Sequence, residues 1–450
     1  MCLILVTTAT AFAPLILKML GSDIGFFESD KQTRYSADQE LIKQYSGAVG
    51  ISAEKDGFKL TVDNIAFDGT FMNIFYTIKS EINLFEEAET EIKRLRTSMN
   101  SPVLEALMLN RLYLKIPGYE LLHDIYSFGR RDGYFVSDYE LKGVDRYIIT
   151  ADLPDIFDIE ISYSYFNRIE LWSKYMEENG VAPTSFPINI NLTIDMSENK
   201  IEAIAVNPDI SAEIIQPRFL SSPDAYDYDE YPNFVHEINI DRVSISPLGN
   251  ILLITEKGKN DATHMESFQK YLIADDKGNF YGMNPANLTR RSGKEDETNI
   301  IEFYGNVPAD AQYLKIIPYK YSRGYSMDEM RLLYGTEYTE IANLPHRFNQ
   351  NDSGSVLIES CVVTNETITL TYKFEGIVDL STFSPHFIFE DGTRVSVWYT
   401  MPMYSGTTDS YTIIFTFSNP IENPESVKNI GIYKYAIELL EEQAIIIPLK

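Results

Sequence analysis

The sequence predicts a mainly β protein of tandem immunoglobulin-like β-sandwich modules, with a helical insertion in the first module and an N-terminal membrane helix. The chain has 450 residues, a length typical of about three domains. Hydrophobic residues make up 44% of it, including 30 Tyr and 25 Phe, which is enough to build buried cores. Short aromatic and β-branched runs separated by turn signals then favour sandwiches over other folds.

Residues 1–20 are predicted to form a membrane anchor. No charged residue precedes Lys18, and an uncharged helix of this size spans about 25 Å at ~1.5 Å per residue, against a hydrocarbon core of ~30 Å. A cleaved signal peptide would need a basic n-region, and the candidate cleavage site at 11–13 is followed by Pro14. A buried helix is the other alternative, but the run is apolar all round. The missing basic flank suggests a longer anchor, shortened by internal initiation or truncation.

A polar stretch follows the apolar run and leads into a β-hairpin. Residues 21–48 have the composition of a juxtamembrane connector that ends in a short helix. From Phe58 to Phe67 apolar and polar residues alternate, Asp68-Gly69 supplies turn chemistry, and the aromatic and β-branched run from Phe71 to Ile78 supplies the second strand. This hairpin belongs to a first β module over residues 49–206.

The hairpin pattern recurs twice, which predicts three related β modules. Its later copies cover 240–254 and 358–372. In every copy an apolar residue is followed directly by an acidic residue, and the next apolar residue comes two positions after the acid. The later two copies are each followed by an acidic glycine turn. Chance similarity between unrelated hairpins is the alternative. The acids are Asp63, Asp241 and Glu359, and the turns are Asp275–Asn279 and Glu390–Thr393.

The remaining chain divides into predicted modules by composition. An acidic linker is expected over 207–235, a second β-sandwich over 236–345 and a third over 346–450. One or two helices are predicted within 81–108, where Pro102 restarts the helical pattern. Further strands are predicted at 111–116, 133–141, 145–151, 157–164, 188–196, 300–303, 313–318, 394–399, 410–417 and 427–435.

The order of an apolar segment, a polar connector and the stretch Gly57–Glu81 (GFKLTVDNIAFDGTFMNIFYTIKSE) resembles a family of low-GC Gram-positive bacteria known mainly as a domain of unknown function. The resemblance is best over 3–81 and weaker over 238–319. It implies a single membrane helix before a β-rich extracytoplasmic domain, often with an immunoglobulin-like C-terminal domain. It also implies an anti-sigma-factor-like role, although members often carry a cytoplasmic segment before the helix and none precedes Met1 here.

Charge and cysteine content exclude several classes of protein. The 66 acidic and 38 basic side chains give a formal charge of −28, which repels nucleic-acid phosphates and leaves no basic stripe. No nucleic-acid partner is therefore expected. The two cysteines, Cys2 and Cys361, are far apart in the predicted organisation, so no intramolecular disulfide is expected.

One acidic aromatic segment, 221–232, offers candidate binding residues. Its clustered carboxylates suit Ca²⁺, but the central Gly and distal Glu of an EF-hand loop are missing. Its tyrosines have the ring faces that stack on sugars. A solvated linker with tyrosines resting on neighbouring modules is the favoured interpretation. The weak Ca²⁺ candidates are Asp224, Asp227 and Asp229, and the candidate binding tyrosines are Tyr226, Tyr228 and Tyr231.

No residue is assigned a catalytic role, and no cofactor is expected. The adjacent acids Asp275-Asp276 and Glu390-Asp391 fit hairpin turns better than a glycosidase pair. GxSxG, Walker and GxGxxG motifs do not occur, and the five histidines are far apart in sequence. Trp172 and Trp398 fit core packing better than sugar platforms.

The leading functional hypothesis is a non-enzymatic, membrane-anchored extracytoplasmic sensory or interaction protein, the ectodomain of an anti-sigma-factor-like regulator. Its expected partner is an envelope protein or polysaccharide, and the sigma-factor link rests on the resemblance alone. A cell-surface adhesin or wall-polysaccharide-binding protein is one alternative, although AIIIPLK at 444–450 holds no LPxTG sorting motif. A secreted hydrolase with accessory sandwich domains is the other.

Overall fold

The computed structural model divides the chain into two compact units, residues 1–202 and 203–450. It describes residues 15–27, 39–95, 102–120, 125–165, 188–198, 203–216, 234–258, 271–284, 288–289, 296–321, 335–351, 354–365, 367–378, 385–396, 411–416, 421–434 and 437–450.

The first unit confirms the predicted β class and the predicted helical insertion. Its strands form a four-stranded sheet in the order β1-β9-β8-β5 and a five-stranded sheet in the order β2-β3-β4-β7-β6. The elements are β1 (Leu15–Lys18), α1 (Gln39–Gln44), β2 (Ser46–Lys55), β3 (Phe58–Phe67), β4 (Phe71–Ser80), α2 (Leu84–Leu95), α3 (Pro102–Leu109), β5 (Asn110–Lys115), β6 (Ile125–Ser137), β7 (Glu140–Ile149), β8 (Ile156–Tyr165) and β9 (Ile188–Asp195).

The predicted membrane helix is wrong for its C-terminal part. Residues Leu15–Lys18 form β1, which pairs in parallel with β9. The physical reason is a period of two: Leu17 and Met19 are buried in the core, whereas Ile16, Lys18 and Leu20 face solvent. Residues 1–14 lie outside the described part of the chain. Within the described part, no helix has the length and apolarity needed to cross a membrane.

The helices appear where the sequence placed them. Helix α1 ends the connector, and α2 and α3 form the insertion between β4 and β5. Asn83 caps α2, because its Oδ1 accepts the backbone N–H of Glu86 at 3.0 Å. Pro102 begins α3, the position at which its missing N–H costs nothing.

The core of the first unit is built from residues of both sheets together with α2 and α3. Strand β4 lies at its centre and is buried at every position from Phe71 to Ile78. One predicted strand, 133–141, is wrong in extent, because Asp138 and Tyr139 turn the chain between β6 and β7. The inward side chains that form this core include Leu60, Val62, Ile65, Ile74, Tyr76, Leu84, Leu107, Leu112, Ile161 and Leu192.

The second unit contains an eleven-stranded sheet and two four-stranded sheets, ordered β19-β26-β23-β24 and β20-β21-β22-β25. Its strands are β10 (Ile204–Val206), β11 (Ile210–Gln216), β12 (Phe234–Ser246), β13 (Gly249–Gly258), β14 (Tyr271–Asp275), β15 (Phe280–Asn284), β16 (Leu288–Thr289), β17 (Asp296–Tyr304), β18 (Tyr313–Tyr321), β19 (Thr336–Glu340), β20 (His346–Asn351), β21 (Gly354–Val363), β22 (Thr367–Gly376), β23 (His386–Phe389), β24 (Arg394–Ser396), β25 (Tyr411–Thr416), β26 (Val427–Tyr433), β27 (Ile437–Leu439) and β28 (Ile445–Pro448).

The C-terminal strands return to the larger sheet of this unit. Both β27 and β28 pair antiparallel with β18, and Ile445 and Ile447 enter the same core as β12 and β13. Residues 335–434 are therefore inserted in the sequence between β18 and β27, which are neighbouring strands of one sheet. Part of the predicted linker is also a strand, since β11 pairs with β12 along seven residues. The predicted domain bounds otherwise remain predictions.

Candidate functional site

The three predicted hairpins are present as β3–β4, β12–β13 and β21–β22, and all three carry a β-bulge at the repeated acid. The pairing register skips one residue between Val62 and Asn64, between Ile240 and Arg242, and between Ile358 and Ser360. The skipped residues are Asp63, Asp241 and Glu359. A bulge leaves one residue out of the ladder and turns its side chain toward the neighbouring strand.

Each bulged acid contacts a side chain that lies 14 residues further along the chain. Thr77 Oγ1 donates to Asp63 Oδ2 and Thr255 Oγ1 donates to Asp241 Oδ2, both at 2.7 Å. In the third hairpin Lys373 Nζ lies 3.1 Å from Glu359 Oε1. Burial raises the pKa of Asp63, and the hydrogen bond from Thr77 only partly offsets that effect.

The inner faces of the three hairpins also match position by position. The residue before each acid and the inward residues of the second strand are buried in their respective cores, which are separate. This agreement in register and burial supports the predicted relation between the hairpins. The equivalent buried sets are Val62, Ile74 and Tyr76; Ile240, Leu252 and Ile254; and Ile358, Leu370 and Tyr372.

The chain that precedes the first hairpin, residues 15–27, is here called the N-terminal strap, and its residues 21–27 cover the outer face of the hairpin. Phe75 points away from the main core and is fully buried. The ring of Phe26 lies 5.3 Å from the ring of Phe75, and that of Phe27 lies 5.9 Å from it. Edge-to-face contacts of this kind add to the energy of apolar burial. Ile24 and Phe26 of the strap are themselves buried.

Polar side chains of the five-stranded sheet hold the strap by its backbone carbonyl groups. Asn64 Nδ2 donates to the carbonyl of Asp23 at 3.3 Å. Lys142 Nζ donates to the carbonyl of Gly25 at 2.6 Å, and Tyr134 Oη donates to that of Phe26 at 2.8 Å. The three donors come from β3, β7 and β6, so they extend across four of the five strands of the sheet.

The middle of the strap is fastened to the start of β2. The N–H of Gly21 donates to the carbonyl of Ser46 at 3.0 Å, and Ser46 Oγ donates to the carbonyl of Ser22 at 2.8 Å. Gly47 permits the close approach, because a Cβ there would lie 2.8 Å from the carbonyl oxygen of Lys18 and from Leu17 Cδ1.

The candidate binding residues of the acidic aromatic segment, Asp224, Asp227, Asp229, Tyr226, Tyr228 and Tyr231, lie outside the described residues, as do Trp172, Trp398, His123 and His264. Two other histidines have aromatic or acidic neighbours: His346 Nε2 is 3.2 Å from Glu337 Oε1, and His386 packs on Tyr433. Across the described ranges, no group of three His, Cys, Asp or Glu residues is placed to hold a metal ion.

The acids at the predicted glycine turns serve the turns, as the sequence indicates. Asp275 Oδ1 accepts the N–H groups of Lys277 and Asn279, both at 2.9 Å, and Tyr281 Oη donates to its Oδ2. Burial raises the pKa of Asp275, but these hydrogen bonds outweigh that effect and lower it overall. Gly278, with φ of 81°, and Gly392, with φ of 83°, adopt the left-handed conformation that such turns require.

The strap is the feature that sequence reasoning missed. Its segment 21–27 lies within the predicted polar connector, yet it contributes two buried apolar side chains. A signal was present in β4, where Ile74 and Tyr76 lie on one face of the strand and Phe71 and Phe75 lie on the opposite face. Aromatic residues on both faces of an antiparallel strand indicate that both faces are covered.

Comparisons with known proteins give two family matches. Residues 1–80 match the family model described as "Domain of unknown function (DUF4179)", and residues 230–348 match "Family of unknown function (DUF5643)". Both descriptions are consistent with the resemblance to a family of unknown function. The search of curated proteins found no match.

Among solved structures, the chain is similar to one titled "The crystal structure of the conserved domain protein from Bacillus anthracis". The sequence identity is 15%, the match covers 66% of this chain and 84% of that chain, and the TM-score is 0.37. A similarity at this level carries no argument about fold or function.

Proposed function

We propose that this chain is a non-enzymatic, membrane-anchored extracytoplasmic protein with a sensory or interaction role, the ectodomain of an anti-sigma-factor-like regulator built from tandem immunoglobulin-like modules. The observation that carries the proposal is the family match over residues 1–80. That range holds the apolar run, the connector and the first hairpin in the order on which the resemblance rests. The proposed partner is a protein or polysaccharide of the cell envelope.

The path of the chain after the apolar run supports this proposal. Residue 15 already belongs to a sheet, and Leu17 and Met19 are buried in the core of the first unit. The described part of the first unit begins with β1, so a movement of the proposed anchor would be passed to the folded unit through this strand. A regulator that transmits a signal from an outer domain to its anchor needs such a connection.

The chemistry of the described acids also fits a binding protein better than the hydrolase alternative. Asp63, Asp241 and Asp275 are engaged in hydrogen bonds that hold bulges and turns. A glycosidase would use two carboxyl groups about 5 to 9.5 Å apart across a cleft. The acids that are adjacent in the sequence, Asp275-Asp276 and Glu390-Asp391, instead lie at hairpin turns.

Membrane attachment is tested by fractionating a Gram-positive host that expresses the full chain. The double variant Val6→Arg/Ala9→Arg places two charges in the apolar run, where each costs about 2.5 to 3.5 kcal/mol in a membrane helix. The parent and the conservative control Thr8→Ser/Thr10→Ser are expected in the alkali-resistant membrane pellet, and the Arg variant in the supernatant. A parent protein found in the supernatant would contradict the anchor.

The orientation and the regulatory role need two further measurements. Protease added to intact protoplasts is expected to degrade the modules of the parent and to leave a cytoplasmic marker whole. Crosslinking followed by purification from detergent extract is expected to recover a sigma factor when the anchor is intact and not with the Arg variant. Recovery of no sigma factor from either protein would remove the anti-sigma part of the proposal.

A further inference from the structure

We propose that the outer face of the five-stranded sheet is a peptide-binding face, that residues 21–27 of the strap occupy it in cis, and that the strap, including β1, leaves as a unit while the other strands of both sheets stay folded. The occupant of the face is thus a segment of this chain. The proposal rests on the proposed function only for the source of the pull that removes the strap.

The contacts between the sheet and the strap are those of peptide recognition. The three donors described above, on Asn64, Tyr134 and Lys142, bind backbone carbonyl groups of the strap, and the rings of two strap residues, Phe26 and Phe27, pack on Phe75. In known peptide-binding modes, main-chain hydrogen bonds supply affinity and side-chain pockets supply specificity. The face therefore selects a turn-forming segment with apolar residues at its two ends, as in Ile24-Gly25-Phe26-Phe27, where the N–H of Phe27 donates to the carbonyl of Ile24 at 3.5 Å.

Two features of the strap favour its leaving before the other strands unfold. Strand β1 contributes four residue pairs at the edge of its sheet, and it is parallel to β9, which is the less stable arrangement per residue. Segment 21–27 adds no strand pairing of its own. Release also exposes the buried side chains of Leu17, Met19, Ile24 and Phe26, but an element at the edge of a sheet opens locally at a lower free energy than the central strands of a core.

Release of the strap would change the surface of the first unit in two places. The backbone edge of β9 along Leu192–Asp195 would lose its partner strand, and the ring of Phe75 would lose its cover. An unpaired strand edge and an exposed aromatic face both attract protein partners. A pull on the anchor would thereby be converted into a new binding surface.

Hydrogen exchange on the full chain in detergent tests the release without any membrane or sigma factor. Gly47→Ala forces a methyl group against the backbone of Lys18, whereas the control Gly25→Ala adds one in the strap itself where nothing lies within 4 Å. In Gly47→Ala the amides of Met19, Gly21 and Ser22 are expected to exchange about tenfold faster, the effect of overpacking a tight contact. The amides of β3 and β4 should exchange at the parent rate, and Gly25→Ala should match the parent throughout.

A synthetic peptide of residues 20–27 tests the recognition. It is expected to bind Gly47→Ala about tenfold more tightly than the parent, because the apparent affinity rises in proportion to the fraction of molecules whose face is unoccupied. A scrambled peptide should bind neither. Adding Tyr134→Phe to the Gly47→Ala variant should weaken peptide binding about fivefold, because one hydrogen bond to a carbonyl is lost.

Three results would overturn the proposal. The first is strap exchange in Gly47→Ala at the parent rate, and the second is peptide binding no tighter than that of the scrambled sequence. The third applies to the parent alone, and it decides the matter even where the variant does not fold. In this third result the exchange rates of the strap amides depend on urea in the same way as those of the β3 and β4 amides. That would show that the strap and the sheets open together. None of these results depends on membrane attachment, so a failure of the proposed function is distinguishable.

Discussion

The hairpins β3–β4 and β21–β22 share one design on their inner faces and differ on their outer faces. Both have an acid at the bulge, and both place a Tyr, Tyr76 or Tyr372, at the same buried position. On the outer face the first hairpin has Phe71, Asn73, Phe75 and Thr77, all buried, whereas the third has Thr367, Thr369, Thr371 and Lys373, all partly exposed.

The difference shows how one hairpin serves two surroundings. The inner face of each hairpin packs against a core, so both hairpins have large apolar residues there. The outer face follows whatever covers it: Phe75 lies under the strap, and threonines, which suit a half-solvated strand, lie on the third hairpin, where the described residues include no strap. The strap therefore accounts for residues that the hairpin alone does not require.

The largest loss of stability is expected when the aromatic ring of Phe75, under the strap, is removed. Phe75→Ala removes a fully buried aromatic side chain and should lower the free energy of unfolding of the first unit by about 3 to 5 kcal/mol. The matched change Thr371→Ala should cost less than about 1 kcal/mol, because that side chain is partly exposed. Urea unfolding followed by hydrogen exchange measures each unit separately. Equal losses in the two variants would show that the outer faces are equivalent.

A smaller effect is expected from the donor at the first bulge. Thr77→Val keeps the shape of the side chain and removes the hydroxyl that donates to Asp63, which should cost about 1 to 3 kcal/mol because the carboxyl group is partly buried and loses a hydrogen-bond donor. Thr77→Ser retains the donor and serves as the control. A loss with Ser as large as that with Val would mean that the methyl group, and not the hydrogen bond, stabilises the bulge.

The pH dependence of stability should have opposite signs at two acids. Burial raises the pKa of Asp63 in the folded state, so its protonation favours folding, and stability falls as pH rises from 3.8 through the folded pKa. The hydrogen bonds from Thr393 lower the pKa of Asp391, so its contribution is lost as pH falls below 3.8. Urea titrations between about pH 3 and 7 should show each slope removed by its own Asp→Asn variant. An unchanged slope in Asp63→Asn would contradict the assignment.

The smallest effect is expected at the third bulge. Lys373→Met removes a partly exposed ion pair with Glu359 and should cost about 0 to 1 kcal/mol. The neighbouring Cys361 reports on this hairpin, because burial raises the pKa of its thiol to about 12 and keeps it unreactive. Alkylation of Cys361, mapped by mass spectrometry, should be as slow in Lys373→Met as in the parent. Fast alkylation would show that the ion pair holds the hairpin closed.

Much of the fold follows from local patterns in the sequence. The three hairpins, their acids, the helices after Glu81 and the turn at Asp275 can be predicted because period-two alternation, turn residues and helix starts act over a few neighbouring positions. The predicted helix that includes Leu15–Lys18 is wrong because an apolar run favours a membrane, a helix or a buried strand equally well. A partner strand 177 residues away, in β9, decided that case.

By itself the sequence determined the strand periods, the repeated acid and the inward residues of each hairpin, because backbone geometry and side-chain burial set these within about ten residues. The tertiary structure alone decided that the strap crosses the outer face of the first hairpin, and that β27 and β28 return to the sheet of β18. These contacts join segments far apart in the chain. Their stability comes from complementary surfaces that exist only once both partners have folded.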